Sequence, residues 1–127
     1  MTINLSINDD KQLSFNEAQK AIDYLNELRV LDFINGFKKQ YPNEITDFFA
    51  NGYCYWFAVI LKERFKGTIY YSPIENHFTC YINGYHYDIT GIYKPERYIY
   101  PWEEYKHIDR LEVLRITRDC INKETVL

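Results

Sequence analysis

Apolar residues recur at helical spacing early in the chain, where Ala18, Ala21, Ile22, Leu25 and Leu28 follow Phe15 with the 3.6-residue period of an amphipathic helix. Ser14 and Glu17 have the spacing of a capping box, so this helix is expected to start near Phe15. The stretch RVLDFINGFKKQY continues or follows it, with a break expected near Gly36 and an end at Pro42. Asn43 then reads as the cap of a short helix, EITDFFA, which Gly52 terminates or interrupts. From Tyr53 to Lys66 the residues Cys54, Phe57, Ala58, Leu61 and Phe65 share one face, while Trp56, Val59 and Ile60 make other faces apolar too. This helix should be central and covered on more than one side, with Gly67 as its stop.

The period then changes. GTIYYS reads as a strand, Pro73 to Asn76 as a loop, and HFTCYINGYHYDIT as a hairpin turning at Asn83-Gly84. A Tyr- and Pro-rich connection runs from Ile92 to Trp102, and LEVLRIT in the tail fits either a strand or a last helix. Helices followed by an antiparallel meander make an α+β fold, with N-terminal helices and a central Cys-bearing helix on a small antiparallel sheet. Residues 1–127 are expected to form a single domain. For residues 1–13 the sequence leaves three possibilities open: loose order, an added strand or a cover over a cleft.

Hairpin geometry places the chemistry. A two-residue loop at Asn83-Gly84 sets Ile82 opposite Tyr85, Thr79 opposite Asp88 and His77 opposite Thr90. Alternation puts His77, Thr79, Tyr81, His86, Asp88 and Thr90 on one face, and Phe78, Cys80, Ile82, Tyr85, Tyr87 and Ile89 on the other. His77 and Asp88 are then diagonal neighbours, roughly 7–8 Å apart at the backbone and within side-chain reach. Taken alone, Cys54 would be a small buried hydrophobe. At a helix N-terminus near an imidazole it fits a nucleophile, with His77 as general base and Asp88 orienting the ring. The Cys54 backbone N–H is the first oxyanion candidate, and Asn51 the second unless it is only a turn or cap residue.

Composition narrows the partners. The sequence holds 15 Lys and Arg against 18 Asp and Glu, a net charge of −3, which argues against a phosphate-binding surface and a nucleic-acid partner. No apolar run is long enough to span a bilayer and the start lacks a signal-peptide pattern, so a soluble, cytoplasmic protein with no membrane role is expected. The three cysteines, Cys54, Cys80 and Cys120, have no paired framework, as suits free thiols in a reducing compartment, and Cys80 and Cys120 read as structural. Aromatic residues make up 18% of the chain, which favours a small core filled by large side chains over a Tyr-lined recognition surface. Cys54, His77, His86 and Asp88 are zinc-ligand types without a recognised spacing, so no metal or other cofactor is expected. His107, among Glu and Lys, reads as a surface residue. Tyr93, Tyr98, Tyr100 and Trp102 are interleaved with Lys94, Arg97, Lys106 and Arg110, a single-strand-binding composition that Glu96, Glu103, Glu104 and Asp109 largely neutralise. With Trp56, these aromatics are candidates for binding a substrate or a protein partner.

GYCYWFAVILKERF followed by HFTCYINGYHYDITG resembles the core of the transglutaminase-like branch of the papain-like cysteine enzymes. In that pattern Gly-x-Cys opens a helix with Phe-Ala one turn on, a His begins a strand, and the next strand carries an Asp. Gly52, Cys54, Phe57, Ala58, His77, Gly84, Tyr87 and Asp88 match it in order, across residues 51–91, about a third of the chain. The resemblance implies a papain-like domain with a Cys54-His77-Asp88 triad that cleaves or exchanges an amide or peptide bond through a thioester, without a cofactor. Protease, amidase, deamidase and transglutaminase-like activities all remain open. The reading of a different class is a catalytically silent protein on the same fold that engages a macromolecular partner through its aromatic surface. A composition rich in Asn, Ile, Lys and Tyr suits a chain from an AT-rich bacterium or its phage, one that would modify or block a host factor.

Overall fold

In a computed structural model that describes residues 11–40, 44–50, 52–95, 98–108 and 110–121, the chain begins with one unbroken helix, α1 (Lys11–Gln40). Lys11, Gln12 and Leu13 are good helix formers, so the helix starts earlier than the capping signal implies and Ser14 lies inside it. Nor does α1 break at Gly36. One glycine costs a helix only about 1 kcal/mol, and neighbouring Ile34 and Phe37 pack into the core. The apolar stripe of the first half is largely exposed, at Phe15, Ile22, Leu25 and Leu28, and α1 becomes firmly buried only from Val30 onward. Pro42, the expected Asn43 cap and Asn51 lie outside the described residues.

The short helix α2 (Glu44–Ala50) and the central helix α3 (Cys54–Phe65) form where the patterns place them. Cys54, Phe57, Ala58 and Leu61 are buried, and α3 lies against three strands of the sheet. Its stop differs from expectation. Lys66, not Gly67, takes the left-handed conformation with φ 60°, and its N–H closes the last turn onto the Lys62 carbonyl at 2.7 Å. Gly67 is required for a different reason. A Cβ there would meet Cys80 Sγ at 2.5 Å, Ile82 Cγ1 at 2.7 Å and the Tyr81 carbonyl oxygen at 2.7 Å, so only a bare backbone fits beside the neighbouring strand.

The strands β1 (Thr68–Ser72), β2 (His77–Ile82), β3 (Tyr85–Asp88), β4 (Gly91–Tyr93) and β5 (Tyr100–Pro101) form one antiparallel sheet in the order β4-β3-β2-β1-β5. The β2–β3 register pairs Ile82 with Tyr85, Tyr81 with His86 and Cys80 with Tyr87. Asn83 and Gly84 both have positive φ, 47° and 95°, which is the type I′ turn that suits the twist of a two-residue hairpin. The tail is helical, not a strand: α4 (Trp102–Tyr105) and α5 (Arg110–Ile116) lead into a π-helical turn, Thr117–Ile121. Among the described residues no helix is long and apolar enough to cross a membrane.

Large aromatics fill the core, with Tyr71, Tyr87, Phe57 and Phe78 fully buried. Phe57 lies 5.3 Å from both Phe37 and Phe49 between ring centroids, and Trp102 meets Phe78 edge to face at 5.0 Å, geometries that favour aromatic pairs beyond their area. We expect Gly67→Ala to destabilise the protein by about 1–3 kcal/mol through overpacking against backbone. Gly36→Ala, exposed with open space around it, should stabilise it by about 0.5–1 kcal/mol. Urea denaturation of the two variants checks both signs.

Candidate active site

Cys54 stands at the first position of α3, after a turn in which Gly52 adopts φ 117°. The N-cap Tyr53 makes no side-chain capping bond; its carbonyl takes the Trp56 N–H at 3.0 Å, so the Cys54 and Tyr55 N–H groups are the ones that precede the first intrahelical bond beside the thiol. Cys54, His77 and Asp88 open into one cleft of about 540 Å³, with Asn76, Tyr93 and Cys120 also in its wall and Glu75 and Asp119 adding acid.

His77 and Asp88, assigned to one hairpin face by alternation, meet at 2.8 Å between Nε2 and Oδ2. Asp88 is itself held by an Asx turn, in which Oδ1 accepts the Thr90 backbone N–H at 2.8 Å and the Thr90 hydroxyl at 2.5 Å. The His77 ring lies 4.9 Å from the Tyr93 ring. Cys54 shares the cleft and favours the charged ring electrostatically, and with Nε2 committed to Asp88, Nδ1 is the ring nitrogen left for a further partner.

The electrostatics follow from these contacts. Burial disfavours the charged His77 ring, but the hydrogen bond to Asp88, its carboxylate charge and the interaction with nearby Cys54 outweigh it and raise the pKa from 6.5 to about 9. Burial pushes the Asp88 carboxyl up, while His77 and both Thr90 bonds pull it down further, so its pKa falls below the ordinary value. Cys80 is pushed up to about 12 by burial, and burial also raises Cys120. Both thiols therefore stay protonated at neutral pH.

The remaining residues singled out in the sequence divide. Tyr93 lies in the cleft, its hydroxyl buried without a partner among the described residues. Trp56 is partly exposed but its indole N–H donates to the Ile121 carbonyl at 2.9 Å, tying α3 to the π-helical turn. Trp102 is a core residue and not a surface anchor. Tyr100 stacks on Tyr105, and Tyr98 is 59% exposed; neither lines the cleft. His86 turns to Thr79 Oγ1 at 3.0 Å and packs against Tyr70, and burial lowers its pKa. Among the described residues no group of three or more His, Cys, Asp or Glu is arranged to hold a metal ion. His107 is exposed.

Cys120, read from sequence as structural, lies in the cleft wall because the tail folds back as a π-helical turn beside α3. Nothing in its local sequence signals that placement. Asn76 was missed although a signal existed: it directly precedes His77 at a turn and has φ 52°, a left-handed conformation that Asn tolerates.

Residues 30–123 match the family model described as Phage YunG-like protein. The chain belongs to the Phage YunG-like family. The matched segment starts where α1 enters the core and contains Cys54, His77, Asp88 and Cys120, so the whole cleft lies within what the family shares in length. No curated protein and no solved structure matches the chain.

Because the His77 pKa is raised on folding, the protonated ring stabilises the fold fully below pH 6.5 and that contribution is lost as pH rises through about 9. In Asp88→Asn, where the carboxylate no longer offsets burial, we expect the His77 titration followed by NMR to move down by more than about one unit. The loss of thermal stability between pH 6.5 and 9 should shrink with it.

Proposed function

We propose that the protein is a cysteine-dependent acyl-transfer enzyme of papain-like, transglutaminase-like type, acting on an amide or peptide bond of a protein or peptide. The observation that carries this reading is His77, held by Asp88 at 2.8 Å in the cleft that also holds Cys54. In the proposed reaction the proton of the Cys54 thiol is held on His77, whose pKa is raised to about 9, as Sγ attacks the substrate carbonyl carbon, and His77 then gives that proton to the leaving amine. Asp88 keeps the ring in the tautomer and orientation that present a nitrogen to the thiol. The resulting thioester on Cys54 is resolved by water or by an acceptor amine, with His77 as base again.

Two features of the cleft support the assignment. The Cys54 and Tyr55 N–H groups precede the first intrahelical bond of α3 and lie beside the thiol, where anionic sulfur and oxyanion are both stabilised. Cys54 is also the cysteine that shares the cleft with His77 and raises its pKa, while Cys80 lies on the buried apolar side of the hairpin.

Iodoacetamide alkylation, resolved by cysteine in mass spectrometry, tests the pair. At pH 7 Cys54 should react at least about tenfold faster than Cys80 or Cys120, and His77→Ala should remove most of that advantage. Equal rates at the three thiols, unchanged by His77→Ala, would overturn the enzymatic reading in favour of a silent binding protein on the same fold.

A further inference from the structure

An acyl-transfer site must hold the oxygen of the carbonyl under attack, and Asn76, in the wall of the cleft that holds Cys54, has the chemistry to do so. Its Oδ1 accepts the Tyr71 hydroxyl at 2.5 Å and lies 3.7 Å from Cys120 Sγ. Both neighbours are donors, since burial raises the Tyr71 phenol and the Cys120 thiol alike and keeps them protonated. Two donors converging on one amide atom define it as the oxygen. Nδ2 is then the other arm of the planar amide. Among the described residues Nδ2 has no partner, and Asn76 is exposed in the wall of the cleft that holds Cys54 and, one residue on, His77.

We propose that the Asn76 side-chain amide donates to the substrate carbonyl oxygen while Cys54 attacks, with Tyr71 and Cys120 as the positioning residues that aim it. The assignment rests on the acyl-transfer reading above. As the Cys54 sulfur bonds to the carbonyl carbon, with the thiol proton held on His77, the carbonyl π pair moves onto oxygen, where the Nδ2–H of Asn76 meets it. When that pair returns to re-form the carbonyl, the bond to the leaving group breaks, and a leaving amine departs with the proton from His77. Asn76 would supply the donor for which Asn51 was the sequence-based candidate.

Two probes separate this role from mere support of His77. p-Nitrophenyl acetate acetylates a thiol through a tetrahedral oxyanion and releases p-nitrophenolate, whereas iodoacetamide alkylates by displacement of iodide with no oxyanion. Asn76→Gly removes the amide and accepts the left-handed backbone, and Tyr71→Phe leaves the amide in place without its anchor. For Asn76→Gly, Cys54 acetylation in stopped flow should fall about 100-fold while alkylation changes less than about twofold. For Tyr71→Phe we expect about a tenfold loss in acetylation, again without a matching loss in alkylation. Unchanged acetylation in Asn76→Gly overturns the assignment, and so does a parallel fall in both reactions, which would mark Asn76 as a support for the turn. If wild-type Cys54 alkylates no faster than Cys80 and Cys120, the acyl-transfer reading fails and takes this assignment with it, a result distinct from the first two.

Discussion

Everything distinctive in this cleft depends on one hydrogen bond across two strands, His77 Nε2 to Asp88 Oδ2. The bond exists because the β2–β3 register brings the two side chains together, and the register is set by the type I′ turn at Asn83 and Gly84. A slip of one residue would send one partner to the opposite face. The carboxylate is further locked by Thr90, two residues on, and the ring is flanked by Tyr93 from the next strand. With its Nε2 occupied, the imidazole can serve the thiol through one nitrogen only. That restriction turns a buried polar pair into a site with a direction.

The aromatic core decides where the thiol meets this pair. Phe57 and Leu61 anchor α3 against the rest of the core, and the chain leaves that helix through Gly67, where backbone lies directly against Cys80 and Tyr81. This close approach fixes the spacing between the end of α3 and the end of β2. On the far side, the π-helical turn closes the cleft wall with Cys120, and the Trp56 indole ties the turn to α3. The large rings are therefore structural first. Trp102, a surface candidate by its surroundings in sequence, belongs to that core.

Much of the architecture is legible in the pattern of residues. The periodicity of α3, the alternation in β2 and β3 and the Asn-Gly turn are local signals, and local signals are what a sequence displays directly. His77 and Asp88 were legible for the same reason, being joined by a hairpin short enough for its geometry to follow from the turn. The start of α1 and its continuity through Gly36 were not, because packing of Ile34 and Phe37 outweighs a weak local preference. Lys66 likewise took the left-handed cap, leaving the neighbouring glycine to answer a steric demand from a distant strand.

The sequence by itself determined the helical and strand segments, the hairpin register and the imidazole–carboxylate pair, since each depends on residues within one turn or one hairpin. Only the tertiary structure decided that Cys54 and Cys120 share one cleft with His77 and that the Tyr71 hydroxyl bonds the Asn76 amide. Those contacts join separate elements of the chain, from α3 to the π-helical turn. Their geometry is fixed by how the aromatic core packs, a cooperative property that no local spacing encodes.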